Sequence, residues 1–278
     1  MKRAAIIMAV MAVSALGFGQ NKPASGQTAA PAAAAAAPQG KRPPQAKTQP
    51  EFEAYKAAVA LTDAAAKEKA ADDFAAKFPD SELRAVLYTA AMGAYQQANN
   101  ADKMLEMARK VLTYDPDEPE ALVGLAQVLT DRTRDTDLDK DQRLAEAKKS
   151  ADRALETVET DVPSAGQPAD KVEAYKGFIR STAYEVLGNL AFNAKTWPDA
   201  EANLRKSIDA FPQSPDPIAV YRLAVALDMQ NKLDEAMKYC DQAIQLSPEG
   251  TAVGTAARSE KDRLTKLKSG SAPGAAPK

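Results

Sequence analysis

Five carboxylates stand at metal-ligand spacing in one short stretch: Asp135, Asp137, Asp139 and Asp141, with Glu146 five residues further on. Oxygen donors at alternate positions, closed by a glutamate, are the pattern of a calcium loop, because this hard cation collects about six to eight oxygens from a tightly turned chain. Two positions depart from it. Lys140 stands where the turn calls for glycine, and Gln142 where an apolar residue would seat the loop. The alternative is a solvated acidic loop whose aspartates cap a helix beginning near Gln142.

Little other chemistry is available. The chain of 278 residues contains no histidine, which removes the commonest general base, the commonest transition-metal ligand and one member of every histidine-dependent triad. The single cysteine, Cys240, cannot form a disulfide within the chain, and its spacing marks it as a small core residue. Zinc sites of Cys and His are excluded as well. No glycine-rich loop is placed to cradle a phosphate, and acidic pairs such as Glu118 with Glu120 read as exposed helix starts, where carboxylates favour the helix dipole. The residues point to a non-catalytic protein that needs no cofactor.

The elements that must position any site are helices. Apolar residues recur at spacings of three and four, as in Leu187, Leu190, Ala191 and Ala194, or Leu223, Ala226 and Leu227, and no alternating run argues for a strand. Pro79-Asp80-Ser81, Asp115-Pro116-Asp117 and Ser247-Pro248-Glu249 punctuate them. The pattern also repeats. Tyr184, Leu187-Gly188, Ala191, Trp197, Ala200, Leu204, Ile208 and Pro212 align with Val220, Leu223-Ala224, Leu227, Leu233, Ala236, Cys240, Ile244 and Pro248 at a constant shift of 36. Tyr88, Ala91-Met92, Tyr95, Met104, Ala108, Leu112 and Pro116 keep the same internal spacing. Leu122, Leu125-Ala126 and Leu129 begin another copy whose second half, Ala147, Ala151 and Leu155, is delayed nine residues by an insertion around Asp131 to Asp141. Phe52, Tyr55, Ala58, Val59, Phe74 and Phe78 form a degenerate first unit, and Thr251 to Leu267 a polar capping helix.

This pattern resembles the tetratricopeptide repeat, a helix hairpin of about 34 residues with a large-small pair in its first helix and an early alanine in its second. Met92 and Met104 depart from it where small residues are expected. Phe74-x-x-x-Phe78-Pro-Asp-Ser is similar to repeats of bacterial envelope assembly proteins. The resemblance covers residues 51–268. It implies an all-α, right-handed superhelical array of about five antiparallel hairpins whose first helices line a concave groove. Placed in register, those helices put Thr89, Gln96, Gln97, Val123, Gln127, Glu185, Asn189, Phe192, Tyr221, Val225 and Asp228 on that side. Phe192 and Tyr221 are candidate aromatic anchors, with packing between repeats as the alternative. Some relatives grip a C-terminal carboxylate with cations on these helices. Only Asn189 fits such a clamp here, so a neutral or basic segment is the better-matched ligand.

The ends carry their own signals. Met1-Lys2-Arg3 leads into an apolar stretch of 15 residues ending at Phe18, which reads as a secretory signal peptide over 1–19 with cleavage after Gly19. An uncleaved anchor is the alternative, and the only route to a membrane. Removal of Lys2 and Arg3 leaves 34 basic against 38 acidic side chains and moves the formal charge from −2 to −4, which argues against nucleic acid as a partner. Residues 20–50 carry no acidic, aromatic or branched aliphatic side chain and read as a disordered linker, and 269–278 as a disordered tail. The expected protein is a periplasmic or secreted scaffold that binds a protein or peptide in its groove. The alternatives are a calcium-dependent structural module and a subunit that docks by its convex face.

Overall fold

Most of the helices start at a recognisable cap or proline. The computed structural model describes residues 41–164 and 166–270, and among them eleven helices follow in order: α1 (Gln49–Val59), α2 (Ala64–Lys77), α3 (Leu83–Gln97), α4 (Ala101–Tyr114), α5 (Pro119–Arg132), α6 (Lys140–Asp161), α7 (Ala169–Asn193), α8 (Trp197–Ala210), α9 (Pro217–Asp228), α10 (Leu233–Leu246) and α11 (Ala252–Lys268). Side chains of Thr48, Asp63, Asn100, Glu118, Asp216 and Thr251 accept hydrogen bonds from first-turn amides, and proline stands in the first turn of α1, α5, α8 and α9, where no amide is needed. The fold is all-α, five hairpins and a closing helix.

Three of the hairpin turns are the same turn. Asn99, Lys195 and Asn231 all lie in the left-handed region, with φ of 55°, 59° and 59°. The amide after each donates to a carbonyl five residues back, Asn100 to Tyr95, Thr196 to Ala191 and Lys232 to Leu227, which closes the last turn of the first helix. The α5–α6 connection lacks this turn, because the acidic insertion separates the two helices.

Consecutive helices pack together, and the first helices of the hairpins also touch in series, α1 with α3, α3 with α5, α5 with α7 and α7 with α9, whereas the second helices form no such row. The array therefore closes up along its odd-numbered side. Within each hairpin the crossing tolerates one large residue. Gly188 meets Leu204 so closely that a Cβ on the glycine would lie 2.7 Å from Leu204 Cγ. The equivalent pair one repeat on is Ala224 and Cys240, and both are fully buried. In the α3–α4 hairpin the volumes are exchanged, with Met92 opposite a fully buried Ala108. The two methionines that break the repeat pattern reach across to α5, where Met104 Cε and Met92 Sδ lie 3.0 and 3.5 Å from the Cβ position of Gly124.

Two expectations need correction. The stretch 20–50 is ordered over its last ten residues: Gln49 and Pro50 begin α1, and residues 41–48 lie along the array as a strap. Ion pairs and hydrogen bonds hold it, with Ala46 packed on the core. Lys41 N–H donates to the Thr160 carbonyl (2.7 Å) and its ammonium contacts Asp115 (2.6 Å) and Asp161 (3.6 Å), Arg42 pairs with Glu82, and Lys47 Nζ donates to the Asp80 carbonyl (2.7 Å). Part-exposed pairs of this kind each contribute about 0–1 kcal/mol. Helix α6 begins at Lys140 rather than near Gln142, and Asp139 at its N-cap makes no capping bond. Residues 1–40 and 271–278, which include the signal-peptide reading and nearly all of the tail, lie outside the described residues.

The volume pairing predicts that Gly188→Ala destabilises the protein, since overpacking costs about 1–3 kcal/mol against about 1 kcal/mol gained in helix propensity. Adding Leu204→Cys, the residue found opposite Ala224, recovers part of the loss. Urea unfolding of the two variants measures both steps, and a double variant less stable than the single one contradicts the pairing.

Candidate functional site

The odd-numbered side holds a cavity of about 430 Å³. Its walls come from α3 (Thr89, Gly93, Gln96), α5 (Val123, Gly124, Gln127) and the early part of α7 (Val172, Tyr175, Phe178, Thr182), and the strap residues Lys41, Pro43, Pro44 and Gln45 run along it. Helix α7 reaches this far because it is 25 residues long, about three turns more than its counterpart α9 of 12 residues. Its extra turns project Val172, Tyr175 and Phe178 beyond the repeat unit.

Four carboxylates line the same space, Asp115, Glu118, Glu120 and Asp161. Glu118 is the N-cap of α5, with its carboxylate accepting from Ala121 N–H (2.6 Å), and Glu120 accepts from the Tyr175 hydroxyl (2.6 Å). Both side chains are half-buried in the cavity wall. Burial, with repulsion from Glu120, pushes the Glu118 carboxyl up to about 8. Burial likewise raises Glu120, against the opposing bond from Tyr175. Tyr175 is pushed well above the usual phenol range by burial beside these two acids. Glu118 and Glu120 form a helix start as expected, but a half-buried one rather than an exposed one.

A second, smaller recess of about 10 Å³ adjoins the cavity, with Gln127 and Thr182 belonging to both. It is lined also by Asp131, Glu185, Val186 and Asn189, and has room for about one water molecule. Asn189 is buried and its Oδ1 has no hydrogen-bond partner, an arrangement that calls for a donor. Burial holds the Asp131 carboxyl above its usual range.

The predicted groove residues separate into two groups. Thr89, Gln96, Val123 and Gln127 line the cavity, and Glu185 and Asn189 the recess. Phe192, Tyr221 and Val225 line neither. Phe192 packs edge-to-face on Trp197, with ring centroids 5.4 Å apart, and Arg222 lies over its ring. Tyr221 packs against the Val220, Ala243 and Ala257 cluster. Both rings are half-buried, Phe192 packing within its own hairpin and under Arg222 of the next, Tyr221 against its own hairpin and α11. Cys240 is fully buried, and burial pushes its thiol up to about 12, so it is an inert part of the core.

The calcium-spaced acids do not converge. Asp137 accepts from Arg134 N–H (2.9 Å), Asp135 pairs with Lys140 (2.7 Å), and Glu146 makes a bidentate pair with Arg109 of α4 (2.7 and 2.9 Å). Among the described residues no group of three or more acidic, cysteine or histidine side chains could hold a metal ion. The side chains that sequence reasoning missed are Lys41, Asp115, Glu118, Glu120, Asp161 and Tyr175. The one available signal was the Glu-Pro-Glu start of α5, ambiguous until Tyr175, 55 residues further on, is seen to close over it.

Residues 217–249, which span α9 and α10, match the tetratricopeptide repeat. One hairpin of the array is thus a tetratricopeptide repeat. No curated protein matches the chain. Among the solved structures that match is "Assembly Chaperone of RpL4 (Acl4)", 15% identical, covering 79% of this chain and 98% of that one with a TM-score of 0.40.

The raised Glu118 carboxyl makes stability pH-dependent. A carboxyl whose folded value lies above its unfolded one contributes stability that is fully present below the unfolded value of 4.5 and lost as pH rises through about 8. Glu118→Gln keeps an oxygen for Ala121 N–H but cannot ionise. The melting temperature of the natural chain should therefore fall relative to that of Glu118→Gln between about pH 5 and pH 8. Parallel thermal melts that keep a constant gap over this range would contradict the buried acid.

Proposed function

We infer that the protein is a non-catalytic scaffold that holds an extended segment of a protein partner in the groove on its odd-numbered side. The observation that carries this reading is the cavity of about 430 Å³ between α3, α5 and α7, already occupied along one edge by an extended stretch of the protein's own chain. A groove that accepts one extended segment has the depth and the backbone-sized width to accept another. Its ion-paired acids Asp115 and Asp161 favour a basic or neutral segment and disfavour nucleic acid, whose phosphates they would repel.

The basic start and apolar stretch of residues 1–19 support export, which would place this scaffold in the periplasm or outside a bacterial cell. The mass of the N-terminus of protein recovered from the envelope or medium tests that placement, and a retained Met1 would overturn the cleavage at Gly19.

Affinity capture with the full chain tests the groove. Gln96→Arg/Gln127→Arg fills the cavity and opposes its charge, so it should lose the captured partner. Phe192→Ala/Tyr221→Ala should retain it at equal helicity. Capture unaffected by the arginines would move docking to the outer face of the array.

A further inference from the structure

We propose that the groove recognises a basic, proline-containing extended segment, and that Lys41–Gln45 is its resident competitor, a stretch of the protein's own chain that a partner must displace. This rests on the groove reading above and names the chemistry of what the groove takes.

Three observations carry it. The strap supplies the ligand chemistry in miniature: Lys41-Arg42-Pro43-Pro44 is followed by Gln45, with its prolines against the cavity and its Lys41 ammonium held by Asp115 and Asp161. Prolines keep such a segment extended before it binds, so little chain entropy is lost on docking. The seat is also larger than its tenant. Lys41 contacts Asp115 and Asp161 but neither Glu118 nor Glu120, so two cavity carboxylates are without a cation from the strap. The floor then continues past Gln127 and Thr182 to the recess where the buried Asn189 Oδ1 has no donor. A longer basic segment can place one cation where Lys41 sits and a second beside Glu118 and Glu120, whose ionised forms it would stabilise. Finally, the strap's ion pairs are partly solvent-exposed, and Arg42 is anchored outside the cavity, on Glu82. Such a tenant can leave without unfolding a helix.

The test uses the full chain and a fluorescent peptide copying residues 40–47, Gly-Lys-Arg-Pro-Pro-Gln-Ala-Lys, with binding followed by anisotropy. Lys41→Ala/Arg42→Ala in the protein loosens the strap. If the strap closes the groove about nine-tenths of the time, the probe should bind this variant about tenfold more tightly than the natural chain. Adding Asp115→Asn/Asp161→Asn should abolish the gain, with helicity unchanged throughout. Equal affinity for the natural chain and the Lys41→Ala/Arg42→Ala variant overturns the competitor. Undiminished binding after the Asp→Asn changes overturns the seat. A glutamate-for-lysine probe that binds as well as the basic one overturns the ligand chemistry while leaving the groove as a binding surface. Failure of any probe to bind, alongside partner capture that Gln96→Arg/Gln127→Arg abolishes, has the same meaning. Failure of both removes the groove itself.

Discussion

The close crossing of each helix pair is the constraint on which the array depends. At the seam between first and second helices the volume is limited, and three hairpins fill it differently: Leu204 against Gly188, Cys240 against Ala224, Met92 against Ala108. Close-packed interiors allow no other solution, because an added methyl group has no void to enter. The same crossing fixes where the chain reverses, and three hairpins meet that need with one left-handed residue at the same place. Because the odd-numbered helices then touch in series, their exposed faces form one continuous surface.

The cavity arises where this regularity is broken. An insertion between α5 and α6, a second helix of 22 residues and a following helix of 25 carry the α6–α7 connection to the cavity, where Asp161, Val162 and Pro163 form part of its wall. The lengthened start of α7 brings Tyr175 over the Glu-Pro-Glu start of α5, and the connection brings Asp161 near Asp115. Carboxylates that would be solvated in a regular repeat are thereby enclosed, and ionisation becomes costly for them. A cation supplied by an extended segment offsets that cost, which links the irregular hairpin to the chemistry of its ligand.

Much of the fold was legible because its determinants are local. The alanines at 200 and 236, the prolines at 212 and 248 and the spacing between them set the hairpins without reference to distant residues. The site was less legible. Gln96, Gln127 and Asn189 follow from register alone, since a residue's face on a first helix is set by helical periodicity. Phe192 had the right register too, but Trp197 at the start of the next helix draws its ring into the packing, a contact that periodicity does not encode. The alternating aspartates of the insertion have calcium-like spacing, yet nearby Lys140 and distant Arg109 take two of the five. The strap lacks the large apolar residues by which order is usually read, and it is held by ion pairs to carboxylates 40 or more residues away.

The enclosed acids are the centre of this account, and the ionisation of Glu118 reports on them most directly. Following its side-chain carboxyl carbon by NMR across the range from about pH 4 to pH 10 gives the midpoint without reference to stability or binding. The account predicts a midpoint near 8, set by burial and by Glu120. A midpoint at the ordinary carboxyl value of 4.5 would show Glu118 in free contact with water and would contradict the acidic, enclosed groove.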